Sequence, residues 1–217
     1  FTFSSLSIAL FSSTLIIVVA IIIANYCRIN DSLISKIYSK ATLLGYSIPG
    51  AVIAMGVILF FVSLDRRLYW LYKMINEGSG KLILSTSIIM LIFAYLIRFL
   101  AIGYNSIESG FEKIGNNFFE ASRTLGMNIT ETFFKVDFKM IKPAIISGFF
   151  LVFVDVLKEL PLTLILRPFN FNTLATKAFE YANDEMLHEA SISSIIIIII
   201  SVISMYFFYK IGEKEEN

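Results

Sequence analysis

Long apolar runs separated by short polar stretches dominate the sequence. A membrane-spanning helix needs about 20 predominantly apolar residues to cross a hydrocarbon core of about 30 Å. The run Ile195–Ile200 has the composition of a strand, but a strand edge open to lipid would leave backbone groups without hydrogen bonds. We therefore predict an all-α polytopic helical bundle, a single membrane domain over residues 1–217. The apolar runs predict spans over residues 5–26, 43–64, 82–102, 144–166 and 192–209.

Charge in the connecting segments predicts which side of the membrane each one faces. Five spans place the termini on opposite sides, and cytoplasmic segments carry an excess of Lys and Arg. If the C-terminus is cytoplasmic, the segments on the cytoplasmic side contain more Lys and Arg residues than the outer segments. We therefore expect that orientation. The inside residues are then Arg28, Lys36, Lys40, Lys113, Arg123, Lys135, Lys139, Lys142, Lys210 and Lys214, and the outside residues are Arg66, Arg67, Lys73, Lys81, Arg167 and Lys177.

Composition agrees with a membrane protein and excludes several other classes. Hydrophobic residues make up 57% of the 217 residues and the mean hydropathy is +0.77. The net charge is +1 without a polybasic run, which argues against nucleic-acid binding. Cys27 cannot form an internal disulfide, and His188 cannot form a metal site by itself. No basic stretch precedes the first apolar run at Phe1, so we expect further sequence upstream and no signal peptide.

The connection between the third and fourth spans, residues 103–142, has the pattern of two short helices. Asn117 and Asn128 each stand three residues before a glutamate, a spacing typical of capped helix starts. Gly126 lies between them and suits a left-handed turn that ends the first helix.

The predicted helix pair is amphipathic, with a polar side toward the cytosol. Its apolar residues recur at intervals of three and four, and they are Phe118, Ala121, Leu125, Ile129 and Phe133. Periodicity alone fits two roles equally: a pair that seals the loop against lipid headgroups, or a docking surface for another protein.

The stretch Glu120-Ala121-Ser122-Arg123-Thr124-Leu125-Gly126 resembles the EAA motif of ABC importer permeases. That family continues with Ile-x-Leu-Pro, where this chain has Val136-Asp137-Phe138-Lys139, and a second proline is present as Pro143. The missing proline puts the local bend in question, while the docking role stands. The resemblance implies a coupling helix that docks on a separate ATPase through Glu120, Ala121, Ser122, Gly126 and Asn128.

Further stretches resemble the ferric-iron branch of these permeases. They are Gly45-Tyr46-Ser47-Ile48-Pro49-Gly50, Tyr95–Ala101, Ile107–Gly110, Lys158–Thr163 and Leu166–Thr176. The resemblance implies a multi-pass permease subunit of the bacterial inner membrane, like the second membrane domain of such importers. It implies four partners: an ATPase dimer that uses ATP and Mg²⁺, a second permease half, a periplasmic binding protein and lipid. Ferric iron is the implied substrate, without a cofactor in this chain; thiamine, phosphonate, sulfate and polyamine importers share the scaffold and remain alternatives.

Three charged residues interrupt the fourth apolar run shortly before Pro161. Asp155 precedes Lys158 by three positions and Glu159 by four, so all three can share one helical face. Such groups are costly inside a membrane unless they face a partner or a water-filled cavity. One possibility is an internal ion network, and a second is an early helix end at Pro161 that places the three charges near the outer interface. The third is that Asp155, Lys158, Glu159 and Pro161 line the translocation path or its outer gate.

Smaller sets of residues have competing roles. Arg98 is either a snorkelling anchor near the inner end of the third span or a substrate ligand. Gly50 and Ala54 lie four apart and predict close helix packing. Hard oxygen ligands suit ferric iron, but we expect the outer cluster to be a solvated acidic loop that contacts the binding protein. This cluster comprises Glu180, Tyr181, Asp184, Glu185 and His188.

No motif for an enzyme is complete. The segment Glu77-Gly78-Ser79-Gly80-Lys81 lacks the earlier glycine of a phosphate loop and has Leu82 where Ser or Thr is needed. ATP must then be hydrolysed by another chain. The alternative from another functional class is a channel or ion-coupled carrier that works without an ATPase.

Overall fold

The computed structural model describes residues 1–30, 32–75 and 82–216, and within these ranges the regular structure is helical, without strands. The segment Glu77–Lys81, considered above as a phosphate loop, lies outside the described residues. The helices are α1 (Thr2–Ile29), α2 (Leu33–Ser47), α3 (Gly50–Ile75), α4 (Ile88–Ile114), α5 (Asn117–Thr124), α6 (Ile129–Met140), α7 (Lys142–Leu157), α8 (Pro161–Leu166), α9 (Leu174–Asn183) and α10 (Leu187–Glu216).

Three described helices are long and apolar enough to cross a membrane on their own, and they are α1, α4 and α10. They correspond to the first, third and fifth predicted spans. Two bent pairs, α2 with α3 and α6 with α7, pass the same test together and bring the number to five if each pair is one span.

The predicted continuous span over residues 43–64 is wrong in its first part. Helix α2 ends at Ser47, and α3 begins at Gly50 after a bend of 114°. Pro49 has no backbone N–H and disfavours helical geometry in the residue before it, and Ile48 is accordingly extended (φ −87°, ψ 133°). The apolar run therefore contains parts of two helices.

The fourth predicted span, residues 144–166, is also broken. Helix α7 ends at Leu157, and the short helix α8 begins at Pro161, which takes the first helical position, where a missing N–H has no cost. A helix end at Pro161 was one of the readings open from the sequence. Residues 158–160 are consequently non-helical.

The third span is longer than predicted. Helix α4 begins at Ile88, after a turn over Leu84–Thr86, and continues to Ile114. The first part of the predicted connection over residues 103–142 therefore belongs to this helix.

Helix α4 lies at the centre of the bundle and contacts α1, α2, α3, α7 and α8. Small residues permit the closest approaches: a Cβ on Gly103 would lie 3.2 Å from the Ile16 side chain of α1, and one on Gly148 of α7 would lie 2.9 Å from Ser106. Packing of backbones against small residues is typical of membrane helices. Helix α10 contacts α7 and α9 and leaves most of its apolar side chains exposed.

Candidate functional site

The turn between α5 and α6 has the hydrogen bonds of a Schellman motif. Gly126 has a φ of +85°, the left-handed conformation predicted for it, and its N–H donates to the carbonyl of Arg123 (3.1 Å). The N–H of Met127 donates to the carbonyl of Ser122 (3.2 Å). Both bonds satisfy carbonyls at the end of α5, so the sharp turn is fixed by the backbone.

Of the two predicted helix caps, the second is confirmed and the first is wrong. The Asn128 side chain accepts from the N–H of Glu131 (2.8 Å), and the Glu131 carboxylate accepts from the N–H of Asn128 (3.2 Å). Helix α5 instead has Asn116 at its cap position, without a side-chain capping bond, and Asn117 is its first helical residue.

Two buried hydroxyl groups meet inside the α5–α6 segment, and most of the predicted apolar stripe faces outward. Ser122 is buried and its hydroxyl lies 2.9 Å from that of Thr132 on α6. Leu125 is 79% exposed and Phe118 is 50% exposed. Glu120, Ala121, Gly126 and Asn128 are exposed as well. Four residues of the predicted apolar stripe are therefore open for another surface, and they are Phe118, Ala121, Leu125 and Ile129. The fifth, Phe133, packs against the hydrophobic core.

The stretch that departs from the family motif begins inside a π-helical segment of α6, Phe133–Asp137, and continues into the α-helical end of α6. Because Lys139 stands where the motif has proline, α6 runs on to Met140, and the bend of 69° comes at Ile141, before Pro143. π-Helical turns occur frequently at functional sites. Asp137, at the end of the segment, is fully buried.

An ion pair between a partly buried arginine and a buried carboxylate joins the two helix breaks of the bundle. The Arg98 Nε of α4 lies 3.4 Å from the Glu159 Oε2, and the Arg98 Nη1 donates to the carbonyl of Ile48 (2.9 Å). Glu159 is 8% exposed and its Oε1 also accepts from the N–H of Leu162 at the start of α8 (3.2 Å). We call Arg98, Glu159 and the Ile48 carbonyl the ion-pair node.

Arg98 does not reach toward the end of its helix. It is the eleventh residue of α4, about 15 Å from the first turn, because each helical residue rises about 1.5 Å. The longer helix places Arg98 near the middle of α4, with Glu159 as its ionic partner. The choice between a snorkelling anchor and a substrate ligand stays a prediction.

A second pair lies next to the ion-pair node. The Lys158 Nζ is 2.7 Å from the Asp155 Oδ1, as their spacing predicts, and Lys158 is 61% exposed. Glu159 does not join this pair, because α7 has already ended at Leu157 and its side chain turns to Arg98. The three charges thus separate: Asp155 pairs with Lys158, whereas Glu159 pairs with Arg98 of α4.

Hydroxyl groups continue the ion-pair node into α8. The Thr163 hydroxyl donates to the carbonyl of Glu159 (2.8 Å), and it lies 2.5 Å from the hydroxyl of Tyr95 on α4. Gly50 and Ala54 are buried, and a Cβ on Gly50 would lie 3.2 Å from the Glu159 carboxylate. The close packing predicted for this glycine is confirmed, with the ion-pair node as its neighbour.

The acidic cluster near α9 is partly neutralised by neighbouring cations. Lys177 and Arg167 lie 2.6 Å from the two carboxylate oxygens of Glu180. Their hydrogen bonds, first that of Lys177, hold the pKa of Glu180 below its usual value. Across the described ranges, no three His, Cys, Asp or Glu side chains converge as metal ligands.

Asp65 is a buried charge that the sequence did not point to. It is fully buried on α3 and accepts hydrogen bonds from the N–H groups of Leu84 (3.1 Å) and Ser85 (2.9 Å) and from the Tyr72 hydroxyl (2.9 Å). The predicted span ended one residue before it, so Asp65 was placed in a loop. Its bonds hold the turn that leads into α4.

Comparison with known families identifies the chain. A family model described as "Binding-protein-dependent transport system inner membrane component" matches residues 7–215. The chain belongs to this family. By this description, the chain is an inner-membrane component of a transport system that depends on a binding protein.

Curated proteins with sequences similar to this chain carry iron-transport names. The chain is 23% identical over 169 residues to the Fe(3+)-transport system permease protein FbpB 2 of Haemophilus influenzae, covering 78% of this chain and 30% of that protein. It is 28% identical over 102 residues to the ferric transport system permease protein FbpB of Actinobacillus pleuropneumoniae, covering 47% of this chain and 15% of that protein. The chain thus spans less than a third of the length of these relatives.

The fold has a counterpart among solved structures. An inward-facing structure of the MetNI methionine ABC transporter aligns with a TM-score of 0.72 at 12% identity, covering 98% of this chain and 93% of that chain. The permease therefore has the fold of type I ABC importer permeases.

Proposed function

We propose that this permease is one of two membrane halves of an ATP-driven ABC importer, and that an ATPase dimer docks on its α5–α6 segment. The observation that carries the proposal is the outward-facing apolar surface of that segment within a chain that the transport family covers almost completely. Hydrolysis of ATP with Mg²⁺ would then take place in the partner ATPase, and this chain would have no catalytic role.

The positive-inside bias supports an orientation with α5–α6 and the C-terminus in the cytoplasm. In that orientation, the α8–α9 connection and the Arg167–Glu180 pair face the periplasm, where a binding protein delivers the substrate. The second membrane half would be a homologous subunit or another part of the same polypeptide.

We further propose ferric iron as the substrate. The names of the relatives and the stretches shared with the iron branch support this choice over the other substrates of the same scaffold. The iron would pass through the permease as cargo released by the binding protein, so this chain needs no tight metal site of its own.

The ion-pair node is proposed to control the translocation path. It ties the two helix breaks of the permease to α4, and breaks in membrane helices are found where transporters bind or gate their substrates. In this role, α3 and α8 move relative to each other when the translocation path opens. Arg98 keeps its contacts with Ile48, which precedes α3, and with Glu159, which precedes α8.

The docking proposal predicts a specific effect of the residue at position 126. Gly126→Pro is expected to abolish recovery of the ATPase with the permease, because proline fixes φ near −65° and removes the N–H that bonds to Arg123. Gly126→Asn is the matched control, since asparagine adopts the left-handed conformation more readily than other side chains. The measurement is the amount of ATPase that copurifies with the tagged permease from co-expressing cells.

Wild type and Gly126→Asn should recover equal amounts of the ATPase. Recovery that is unchanged in Gly126→Pro, with the variant inserted normally in the membrane, would contradict docking through this segment. Glu120→Arg provides a second test, because it reverses an exposed charge on the same segment without altering the turn.

A further inference from the structure

A second buried ion pair lies between the end of α1 and the π-helical segment of α6. The Arg28 Nη1 is 3.1 Å from the Asp137 Oδ1, and their side chains are 10% and 1% exposed. Neither carboxylate oxygen of Asp137 has a well-aligned hydrogen bond from the described residues. The charge of Asp137 therefore depends on Arg28 for its compensation.

Arg28 also contacts the α5–α6 segment, on which the ATPase is proposed to dock and which we call the docking segment. Its guanidinium carbon lies 5.4 Å from the centre of the Phe119 ring on α5 and 4.7 Å from that of the Phe111 ring on α4. Its Nε donates to the side chain of Asn116, the cap residue of α5 (3.4 Å). One side chain of α1 thus touches both ends of the connection from α4 into α5, and it touches α6 as well.

A buried ion pair is weak evidence for stability. Apolar side chains of similar volume are often as stabilising as a buried ion pair, because the pair must first be removed from water. What the pair adds is a fixed relative position of the elements that it joins. It does so at a π-helical segment, and Arg28 also lines a cavity of about 490 Å³ between α1, α2 and α4.

We propose that Arg28 and Asp137 are positioning residues that transmit movement of the docking segment to α1. This inference rests on the proposed function, since it assumes that an ATPase moves α5. When α5 is displaced, the contacts of Arg28 carry the end of α1 with it, and the membrane helices packed on α1 follow. Loss of the contacts would leave the ATPase bound and active but would disconnect hydrolysis from transport.

The test separates transmission from folding by three measurements on the assembled importer in proteoliposomes. They are the amount of bound ATPase, the rate of ATP hydrolysis, and the uptake of radiolabelled ferric iron supplied on its binding protein. Arg28→Met/Asp137→Leu replaces the pair by apolar side chains, so that no buried charge remains alone. We expect bound ATPase and hydrolysis near wild type, and uptake per ATP reduced by roughly tenfold, within the range of mutations that alter coupling.

Phe119→Leu is a milder variant that leaves the ion pair intact and removes a cation–π contact of Arg28. It should lower uptake per ATP by about two- to fivefold with full ATPase binding, since such contacts contribute about 0.5–1 kcal/mol. Arg66→Met is the matched control, because it removes an exposed cation of α3 that lies outside the α5–α6 segment. It should leave all three measurements unchanged.

Unchanged uptake per ATP in both Arg28→Met/Asp137→Leu and Phe119→Leu would overturn the inference. Loss of bound ATPase in the double variant would also overturn it, by showing that the pair only supports the shape of the docking surface. Failure of the proposed function is distinguishable, because the wild-type permease would then bind no ATPase and show no ATP-driven uptake.

Discussion

Arg98→Met is expected to lower the free energy of unfolding of the permease by about 3 kcal/mol, because it leaves the buried carboxylate of Glu159 without its cation. It also removes the donor to the Ile48 carbonyl at the break between α2 and α3. For a chain of this size, the loss corresponds to a fall in Tm of roughly 6–12 °C. The measurement is thermal unfolding of the purified permease in detergent.

The neighbouring ion pair supplies the control. Lys158→Met removes a cation from an exposed pair, and such pairs contribute about 0–1 kcal/mol, so its Tm should stay close to wild type. Arg98→Met/Glu159→Gln should recover much of the loss, since no uncompensated charge remains. Equal effects of Arg98→Met and Lys158→Met would contradict a buried ion-pair node.

The single change Glu159→Gln tests the functional role of the same pair. The amide oxygen can still accept from the N–H of Leu162, so the start of α8 is preserved, but the charge that attracts Arg98 is lost. We expect reduced uptake with normal ATPase binding. Unchanged uptake would contradict the proposed control of the translocation path.

Gly45→Ala is expected to have the second large effect. A Cβ at this position would lie 1.9 Å from the backbone carbonyl oxygen of Ile97, so α2 cannot keep its place against α4. Overpacking costs about 1–3 kcal/mol, and a clash with backbone falls at the upper end because no side chain can rotate away. Thermal unfolding in detergent again measures the loss.

Gly56→Ala is the matched control, because a Cβ there has nothing within 4 Å. Alanine is favoured over glycine inside a helix by about 0.5–1 kcal/mol, so this variant should be as stable as wild type or more stable. If the two alanine variants unfold at the same temperature, α2 does not lie against α4 as described.

Caps, turns and ion pairs were predictable where the residues that form them lie within a few positions of one another in the sequence. The capping box at Asn128 and the left-handed turn at Gly126 follow from neighbours in sequence, and both are confirmed. The pairing of Asp155 with Lys158 follows from helical spacing. The three longest helices follow from the length of their apolar runs.

Helix breaks were harder to predict, because the length of an apolar run does not show where the helix axis changes direction. Ile48 and Pro49 continue an apolar run, yet proline geometry turns the chain there. The warning signal was the proline itself, since the residue before it disfavours helical geometry. An apolar window that contains such a residue is better treated as two helices.

Partners distant in sequence could not be predicted at all. Glu159 finds Arg98, Asp137 finds Arg28 and Asp65 finds the backbone near Ser85 only after the helices have packed. Nothing within a few positions of these acids indicates the partner. The sequence singled out Glu159 and Arg98 as candidates, but it did not indicate that they pair with each other.

The most direct test of an ATP-driven iron importer is uptake by proteoliposomes that contain this permease with its second half and its ATPase. Radiolabelled ferric iron is supplied on a periplasmic binding protein, with ATP and Mg²⁺ on the ATPase side. Uptake should require ATP, the ATPase and the loaded binding protein together, and should stop with a non-hydrolysable ATP analogue. Uptake that follows an ion gradient without ATP or the ATPase would contradict the account.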